Sequence, residues 1–145
     1  MRTKTGNWFE CKVRFDETQE DGTVKKVTKP YVVDAVSFGD AEKKITKEMS
    51  RYVSGEMEIK TINPTPYKEI FFSDADTDDK WYKAKLAFIT IDEKTEKEKR
   101  STITYLVQAC SVQKACKNVD EAMSSTMIDY SSLAISETKI EDVFE

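Results

Sequence analysis

The sequence predicts an α+β protein with an internal duplication, in which a β-β-α-β(β) unit occurs twice and forms two antiparallel sheets, each with one packed helix, related by a pseudo-twofold axis. Two observations predict this architecture. Runs of alternating apolar and polar residues, typical of half-buried strands, are followed by an amphipathic helical pattern. The same order of patterns recurs at an offset of 73 to 74 residues. The predicted repeats are residues 1–73 and 74–145, which we expect to form one compact protein.

The repeat is visible as four segments of the first half that align, in the same order, with four segments of the second half. Both aligned strand patterns contain a tryptophan near their start, Trp8 in the first repeat and Trp81 in the second. Four matches in one order argue for a duplicated structural unit. The aligned segments are Asn7–Phe15 with Lys80–Phe88, Tyr31–Ser37 with Tyr105–Ser111, Ala41–Met49 with Ala115–Met123, and Glu69–Phe71 with Asp142–Phe144.

Each repeat is predicted to open with a β-hairpin. In the first repeat, Glu20–Gly22 supplies a turn and Val27–Val36 forms the returning strand. In the second repeat, the charged segment Asp92–Arg100 takes the place of the turn. The residues predicted to face the helices are Phe9, Cys11, Val13 and Phe15 in the first strand and Tyr82, Ala84, Leu86 and Phe88 in its counterpart.

An amphipathic helix is predicted after each hairpin. Ser37 and Ser111 stand at the N-cap positions, and Gly55 is predicted to end the first helix as its C′ residue. Two short strands, Met57–Thr61 and Lys68–Phe72, then complete the first repeat. The residues at helical spacing that should face the core are Phe38, Ala41, Ile45, Met49 and Tyr52 in the first helix and Val112, Ala115, Val119 and Met123 in the second.

The composition is that of a folded protein without an obvious catalytic centre. Of the 145 residues, 39% are hydrophobic and 34% are charged, and no apolar stretch approaches the roughly 18 residues of a membrane span. We therefore expect a cytoplasmic protein. The absence of histidine removes the usual general base near neutral pH, the usual zinc ligand and the Ser-His and Cys-His nucleophile pairs. The remaining acid and base candidates are scattered carboxylates, so we predict no enzyme activity, no catalytic residues and no cofactor.

The three cysteines do not form a recognisable redox or metal motif. Cys11, Cys110 and Cys116 make an odd number without a C-x-x-C spacing. Each stands where a small apolar residue is suitable, so we predict reduced thiols in the core.

The formal charge of −4 is unevenly distributed along the chain. Residues 1–73 carry 13 Lys and Arg against 12 Asp and Glu, whereas residues 74–145 carry 10 against 15. Such a balance gives no general attraction to phosphate, so any nucleic-acid site has to be a local patch.

Three stretches of the sequence resemble a known family. They are Met1–Val13, Tyr67–Ser73 and Trp81–Leu86. They are similar to an uncharacterised family of small Bacteroidetes and tailed-phage (crAss-like) proteins, described as a domain of unknown function, and the resemblance covers nearly the full chain. The resemblance implies a setting in phage or mobile-element biology in a bacterial cytoplasm, and it supplies no catalytic residues.

The acidic run Asp74, Asp76, Asp78 and Asp79 superficially resembles the start of a calcium-binding loop, in which alternate oxygens converge on the cation. The pattern then fails. Asp79 occupies the sixth position, where the loop requires glycine, and Lys85 occupies the twelfth, where it requires glutamate. We therefore interpret the run as a solvated linker and predict no metal site.

Strand parity places a tryptophan and two cations on the face opposite the helix in each repeat. If the alternate apolar residues face the helices, Trp8 and Trp81 point away from them, together with the basic residues that follow. A flat ring on which a base can stack, worth roughly 1–3 kcal/mol, beside cations that follow the phosphates suits a sequence-tolerant single-strand site. The candidate nucleic-acid-binding residues are Trp8, Lys12, Arg14, Lys26, Trp81, Lys83, Lys85 and Arg100.

Two other interpretations of these faces stay open. The outer faces of the two sheets can pack together and bury both tryptophans in a shared core. Alternatively, the faces bind a protein, because Trp and Arg anchor many protein interfaces.

The sequence therefore supports two functions of different kinds. The first is a non-catalytic accessory protein of phage or mobile-element DNA metabolism that binds single-stranded nucleic acid through the paired faces. The second is a protein-interaction module, for example an inhibitor of a host factor, whose partner docks on a sheet edge or on the acidic second half. The expected partner is thus single-stranded nucleic acid or a phage or host protein, and not a membrane.

Overall fold

A computed structural model describes all 145 residues of the chain, which form nine strands and two helices. The fold is α+β, as the sequence predicts. Each helix follows a hairpin of two long strands. In chain order the elements are β1 (Arg2–Thr5), β2 (Trp8–Thr18), β3 (Val24–Asp34), α1 (Phe38–Met49), β4 (Met57–Pro64), β5 (Tyr67–Phe72), β6 (Lys80–Ile91), β7 (Glu98–Ala109), α2 (Val112–Met123), β8 (Asp129–Glu137) and β9 (Asp142–Phe144).

The strands form two sheets, and both sheets are mixed. The five-stranded sheet has the order β1-β5-β7-β6-β8, and the four-stranded sheet has the order β4-β2-β3-β9. Two neighbouring pairs, β5 with β7 and β3 with β9, are parallel, and the others are antiparallel. The prediction of two antiparallel sheets is therefore corrected, because each sheet contains one parallel pair of strands. A parallel pair needs a long crossover, which exists here because β5 and β9 each join a hairpin from the other half of the sequence.

The chain divides into two compact units that follow this strand pairing. The four-stranded unit contains Gly6–Thr65 and Lys139–Glu145, and the five-stranded unit contains Met1–Thr5 and Pro66–Thr138. The sequence repeats therefore describe internal similarity, whereas the compact units describe which strands pack together.

Both helices begin at the predicted serine. The side chain of Ser37 accepts a hydrogen bond from the backbone N–H of Asp40, and that of Ser111 accepts one from the N–H of Lys114. Each serine thereby satisfies a backbone donor that the helix itself leaves without a partner. The predicted N-caps are confirmed. Neither helix combines the length and the apolar character needed to cross a membrane.

The first helix ends earlier than the sequence predicts. Its last residue is Met49, and Ser50 is the C-cap with an ordinary helical φ of −62°. Gly55 lies five residues farther on and does not have a positive φ, so the prediction that it is the C′ residue is wrong. Tyr52 consequently lies beyond the helix and is exposed.

Each unit has its own hydrophobic core between its helix and one face of its sheet. The residues predicted to face the helices from β2 and β6 all belong to these cores, which confirms the strand parity. Phe38 and Val112 are exposed because each is the first residue of its helix. The buried helix residues that complete the two cores are Ala41, Ile45 and Met49 in α1 and Ala115, Val119 and Met123 in α2.

The three cysteines differ in exposure. Cys11 is buried in the core of the four-stranded unit, as predicted, whereas Cys110 and Cys116 are exposed, which corrects the prediction for those two. They are exposed because Cys110 lies just after β7 and Cys116 lies on the outer side of α2. Burial, helped by the nearby Glu10 carboxylate, raises the pKa of the Cys11 thiol to about 11.

Native protein should therefore show two fast-reacting thiols. Because the thiolate is the nucleophile, Cys110 and Cys116 should react with Ellman's reagent at pH 8, whereas Cys11 should react only after unfolding. The measurement is the absorbance change in buffer and then in guanidinium chloride. Three fast thiols in buffer would mean that Cys11 is not in a closed core.

Candidate functional site

Both tryptophans of the candidate nucleic-acid site are buried. Trp8 is 2% exposed and Trp81 is 3% exposed. The Trp81 ring meets Phe72 edge-on, with ring centroids 5.7 Å apart. Trp8 lies so close to Gly6 that a Cβ added there would come within 3.1 Å of the Trp8 ring. Neither indole therefore offers an open face on which a base could stack.

The cations of the candidate site lie on two different sheets. Lys12, Arg14 and Lys26 lie on the four-stranded sheet, where Arg14 is opposite Glu58 and Lys26 is opposite Asp16 on neighbouring strands. Carboxylates thus interrupt this group of cations. A continuous phosphate track is not formed on this sheet.

The other three cations share one face of the five-stranded sheet. Lys83 and Lys85 lie on the face of β6 turned away from α2, and Arg100 is opposite Ile89 on the same face. In the register of β6 with β8, Lys83 is opposite Ser136 and Lys85 is opposite Ala134. All six candidate cations are exposed and none forms an ion pair.

The acidic run between the repeats is only partly a solvated linker. Asp74, Asp76 and Asp79 are exposed, but Asp78 is buried. Its carboxylate accepts hydrogen bonds from the hydroxyl of Ser73 and, at 3.1 Å, from the amide of Asn118 on α2. Burial by itself would raise the pKa of Asp78, but these hydrogen bonds outweigh it and hold the pKa below its usual value. Asp78 therefore ties the linker to α2.

Strand β8 is the sheet edge with the least protection against pairing. A sheet edge presents unpaired backbone N–H and C=O groups, and proteins block such edges with charge, proline or short strands. Here β1 has four residues and β9 has three. The longer edge strand β4 carries Glu58, Lys60 and Pro64. All three of these edges are therefore blocked.

The residues of β8 lack these blocking features. Its nine residues carry charge only at the two ends, at Asp129 and Glu137. The stretch from Tyr130 to Ser136 contains neither a charged residue nor proline, and all of it is exposed apart from the half-buried Tyr130 and Ile135. This edge can therefore accept a further strand without burying a charge.

A β-bulge at aligned positions makes the difference between the two long edges clear. In β4 the bulge leaves Lys60 without a partner on β2, and in β8 it leaves Leu133 without a partner on β6. A lysine on an edge opposes pairing, because a docking strand would have to bury its charge. The aligned leucine is instead 51% exposed and apolar. A protective lysine in one repeat thus corresponds to an exposed leucine in the other.

Two further exposed apolar side chains lie just before β8. Met127 is 99% exposed and Ile128 is 49% exposed. The sequence predicts docking on a sheet edge but not on which one, because the order of the strands decides which of them lies at an edge. Two sequence signals could have identified β8 as the docking edge. One is the uncharged run Tyr130–Ser136, and the other is Leu133 at the position aligned with Lys60.

Of three comparisons with known proteins, one gives a match. No curated protein and no solved structure matches the chain. A family model matches residues 7–145, so it covers both hairpins, both helices and the edge strand β8. The chain belongs to the family described as a domain of unknown function (DUF4494).

Proposed function

We propose that this protein is a non-catalytic protein-binding module that pairs an extended segment of its partner along the edge of β8. The single observation that carries the proposal is the long, uncharged and exposed edge, with Leu133 at the bulge where the aligned strand has Lys60. In strand addition, backbone hydrogen bonds supply affinity and the side chains beside the edge supply specificity.

The side chains around β8 select a partner strand with two different faces. Lys83 and Lys85 lie one strand inward from the edge, opposite the small residues Ser136 and Ala134. An added strand would lie two strand spacings, roughly 10 Å, from β6. The long side chains of lysine and glutamate together span such a gap, so acidic residues on this face of the partner complement the two lysines.

The opposite face of the partner strand should be apolar. Ile135 points to the side of the sheet that α2 covers, and it packs at the border of the core of the five-stranded unit. A valine or isoleucine next to Ile135 would extend this apolar surface. The partner is therefore an extended segment in which acidic residues alternate with apolar ones.

The biological setting is part of the same proposal. The similarity to small Bacteroidetes and tailed-phage proteins supports a bacterial cytoplasm and phage or mobile-element biology as the setting. In that setting, the partner is a phage or host protein with an exposed or flexible acidic segment.

The proposal predicts that β8 binds a designed strand-forming peptide. The probe is a fluorescein-labelled nonapeptide in which glutamate alternates with valine, and its matched control carries lysine in place of glutamate. The glutamate peptide should bind at least tenfold more tightly in fluorescence anisotropy, because it complements Lys83 and Lys85. Leu133→Glu, which places a charge on the edge that also repels the glutamates of the peptide, should weaken binding at least tenfold, equivalent to about 1.4 kcal/mol. Lys60→Leu on β4 should leave it unchanged.

Three results would contradict the proposal. One is equal affinity for the two peptides, which would indicate non-specific association. Another is an unchanged affinity in the Leu133→Glu variant with its fold intact. The third is undiminished binding of a glutamate peptide methylated at alternate backbone nitrogens, because such a peptide cannot donate hydrogen bonds to a strand edge.

Single-stranded nucleic acid is the second candidate, and the unpaired cations favour it. Lys83, Lys85 and Arg100 share one exposed face without carboxylate partners. The burial of Trp8 and Trp81 removes the stacking that such a site would use. A labelled oligothymidine therefore serves as the competing probe in the same assay. Binding at physiological salt that is lost in the Lys83→Ala, Lys85→Ala double variant would favour nucleic acid over the strand partner.

A further inference from the structure

We propose that the four-stranded unit binds an organic cation, an ammonium or guanidinium group on an apolar stem, in a cavity of about 460 Å³ beside the C-terminal end of α1. The volume falls in the range of small-molecule sites, roughly 300–1,000 Å³. One side of the cavity is aromatic and the other is acidic. This site is separate from β8, which lies in the other unit.

The aromatic side is a column of three rings. Tyr31 stacks on Phe144 with ring centroids 5.7 Å apart, and Tyr52 stacks on Phe144 at 6.4 Å. Tyr52 is 69% exposed and stands at the rim of the cavity. Aromatic faces attract cations electrostatically and also cover an apolar stem.

The acidic side has more negative charge than the fold neutralises. Four carboxylates line the cavity together with a single cation, Lys29. Lys29 is already held by Glu17 at 2.6 Å and by Glu141 at 3.3 Å. Asp142 has no cationic partner, whereas Asp16 stands opposite Lys26 on the neighbouring strand. A ligand with a positive charge would supply the missing partner.

An unused hydrogen-bonding group also points to a ligand. Tyr31 is 6% exposed and lines the cavity, yet its hydroxyl makes no hydrogen bond. Burial and the carboxylates of Glu141 and Glu17 raise its pKa to about 12, so the hydroxyl keeps its proton at neutral pH. It is available both to donate and to accept a hydrogen bond. The hydroxyl oxygen is accessible from the cavity, where a bound ligand would provide its partner.

The other unit contains a cavity at the aligned place without this excess of negative charge. Its volume is about 380 Å³, and Tyr105 and Phe71 occupy the positions aligned with Tyr31 and Phe144. The positions aligned with Lys29 and Glu17 are Ile103 and Thr90. One carboxylate, Glu69, and one lysine, Lys68, line this cavity, so its charges balance. The excess of carboxylates is therefore particular to the four-stranded unit, which supports a binding role rather than a structural one.

The test is an NMR titration of the full isotopically labelled chain with two probes. N-acetyl-arginine methylamide represents a peptide side chain and spermidine a free polyamine, so the tighter probe identifies the source of the cation. We expect saturable shifts at residues lining the cavity. The variant Asp142→Asn should weaken binding at least tenfold, and Tyr52→Ala about threefold.

Matched controls keep the test specific. Glu69→Gln, at the position aligned with Asp142, changes the other cavity and should have no effect. Leu133→Glu should also have no effect, so failure of the β8 proposal leaves this one intact. Equal shifts at acidic residues over the whole surface would overturn the proposal, as would equal binding of uncharged N-acetyl-norleucine methylamide or unchanged affinity in the Asp142→Asn variant.

Discussion

Replacing Val119 with aspartate is expected to unfold the protein. Val119 has no exposed surface and lies at the centre of the α2 face that packs on the five-stranded sheet. A buried carboxylate without a partner costs several kcal/mol, a large part of the roughly 5–15 kcal/mol by which a domain of this size is stable. The measurement is the thermal midpoint by circular dichroism, and Ile45→Asp should act in the same way in the four-stranded unit.

The control for this prediction lies on the same helix. Cys116 is exposed, so Cys116→Asp should change the stability by less than about 1 kcal/mol. An unchanged thermal midpoint in Val119→Asp would mean that the buried face of α2 has been assigned wrongly.

Replacing Trp81 with alanine should cost about 3–5 kcal/mol of unfolding free energy. The ring is 3% exposed and contacts Phe72, so its removal leaves a large cavity. The measurement is the midpoint of urea unfolding. Lys83→Ala provides the matched control, because Lys83 lies on the same face of the same strand but is exposed, and it should change stability by less than about 0.5 kcal/mol.

The fluorescence of variants with a single tryptophan measures the burial of each ring independently of stability. Trp81→Ala leaves Trp8 as the single indole, and Trp8→Ala leaves Trp81. Each remaining indole should emit at the short wavelength of a buried ring and should resist quenching by acrylamide. A solvent-like emission together with a small loss of stability would restore the stacking interpretation of these residues.

The local elements could be predicted because they depend on periodic burial. Phe9, Cys11, Val13 and Phe15 alternate along β2, and one face of the sheet buries all of them. Ser37 and Ser111 could be identified as N-caps because the hydroxyl satisfies a need that every helix start has.

The pairing of the end strands could not be predicted in the same way. β5 and β9 are short, and nothing in Tyr67–Phe72 or Asp142–Phe144 indicates which hairpin each will join. Their parallel pairing depends on contacts between distant parts of the chain. β1 could not be predicted for the same reason, because Arg2–Thr5 becomes a strand only by pairing with β5.

The candidate site shows the same division between local and distant information. Parity correctly places Trp8 and Trp81 opposite the helices, but parity does not determine whether a face is covered. The edge position of β8 depends on the strand order of the whole sheet. The importance of Leu133 follows only from the structure, in which a β-bulge leaves Leu133 unpaired in β8 as another bulge leaves the aligned Lys60 unpaired in β4.

The central claim, that β8 is the edge on which a partner strand docks, is tested most directly by amide hydrogen exchange. Protein saturated with the alternating glutamate and valine peptide is compared with free protein. Binding at the edge should slow exchange in Asp129–Glu137 and leave Met57–Pro64 of β4 unchanged. Slowed exchange in β4, or binding without any added protection in β8, would contradict the account.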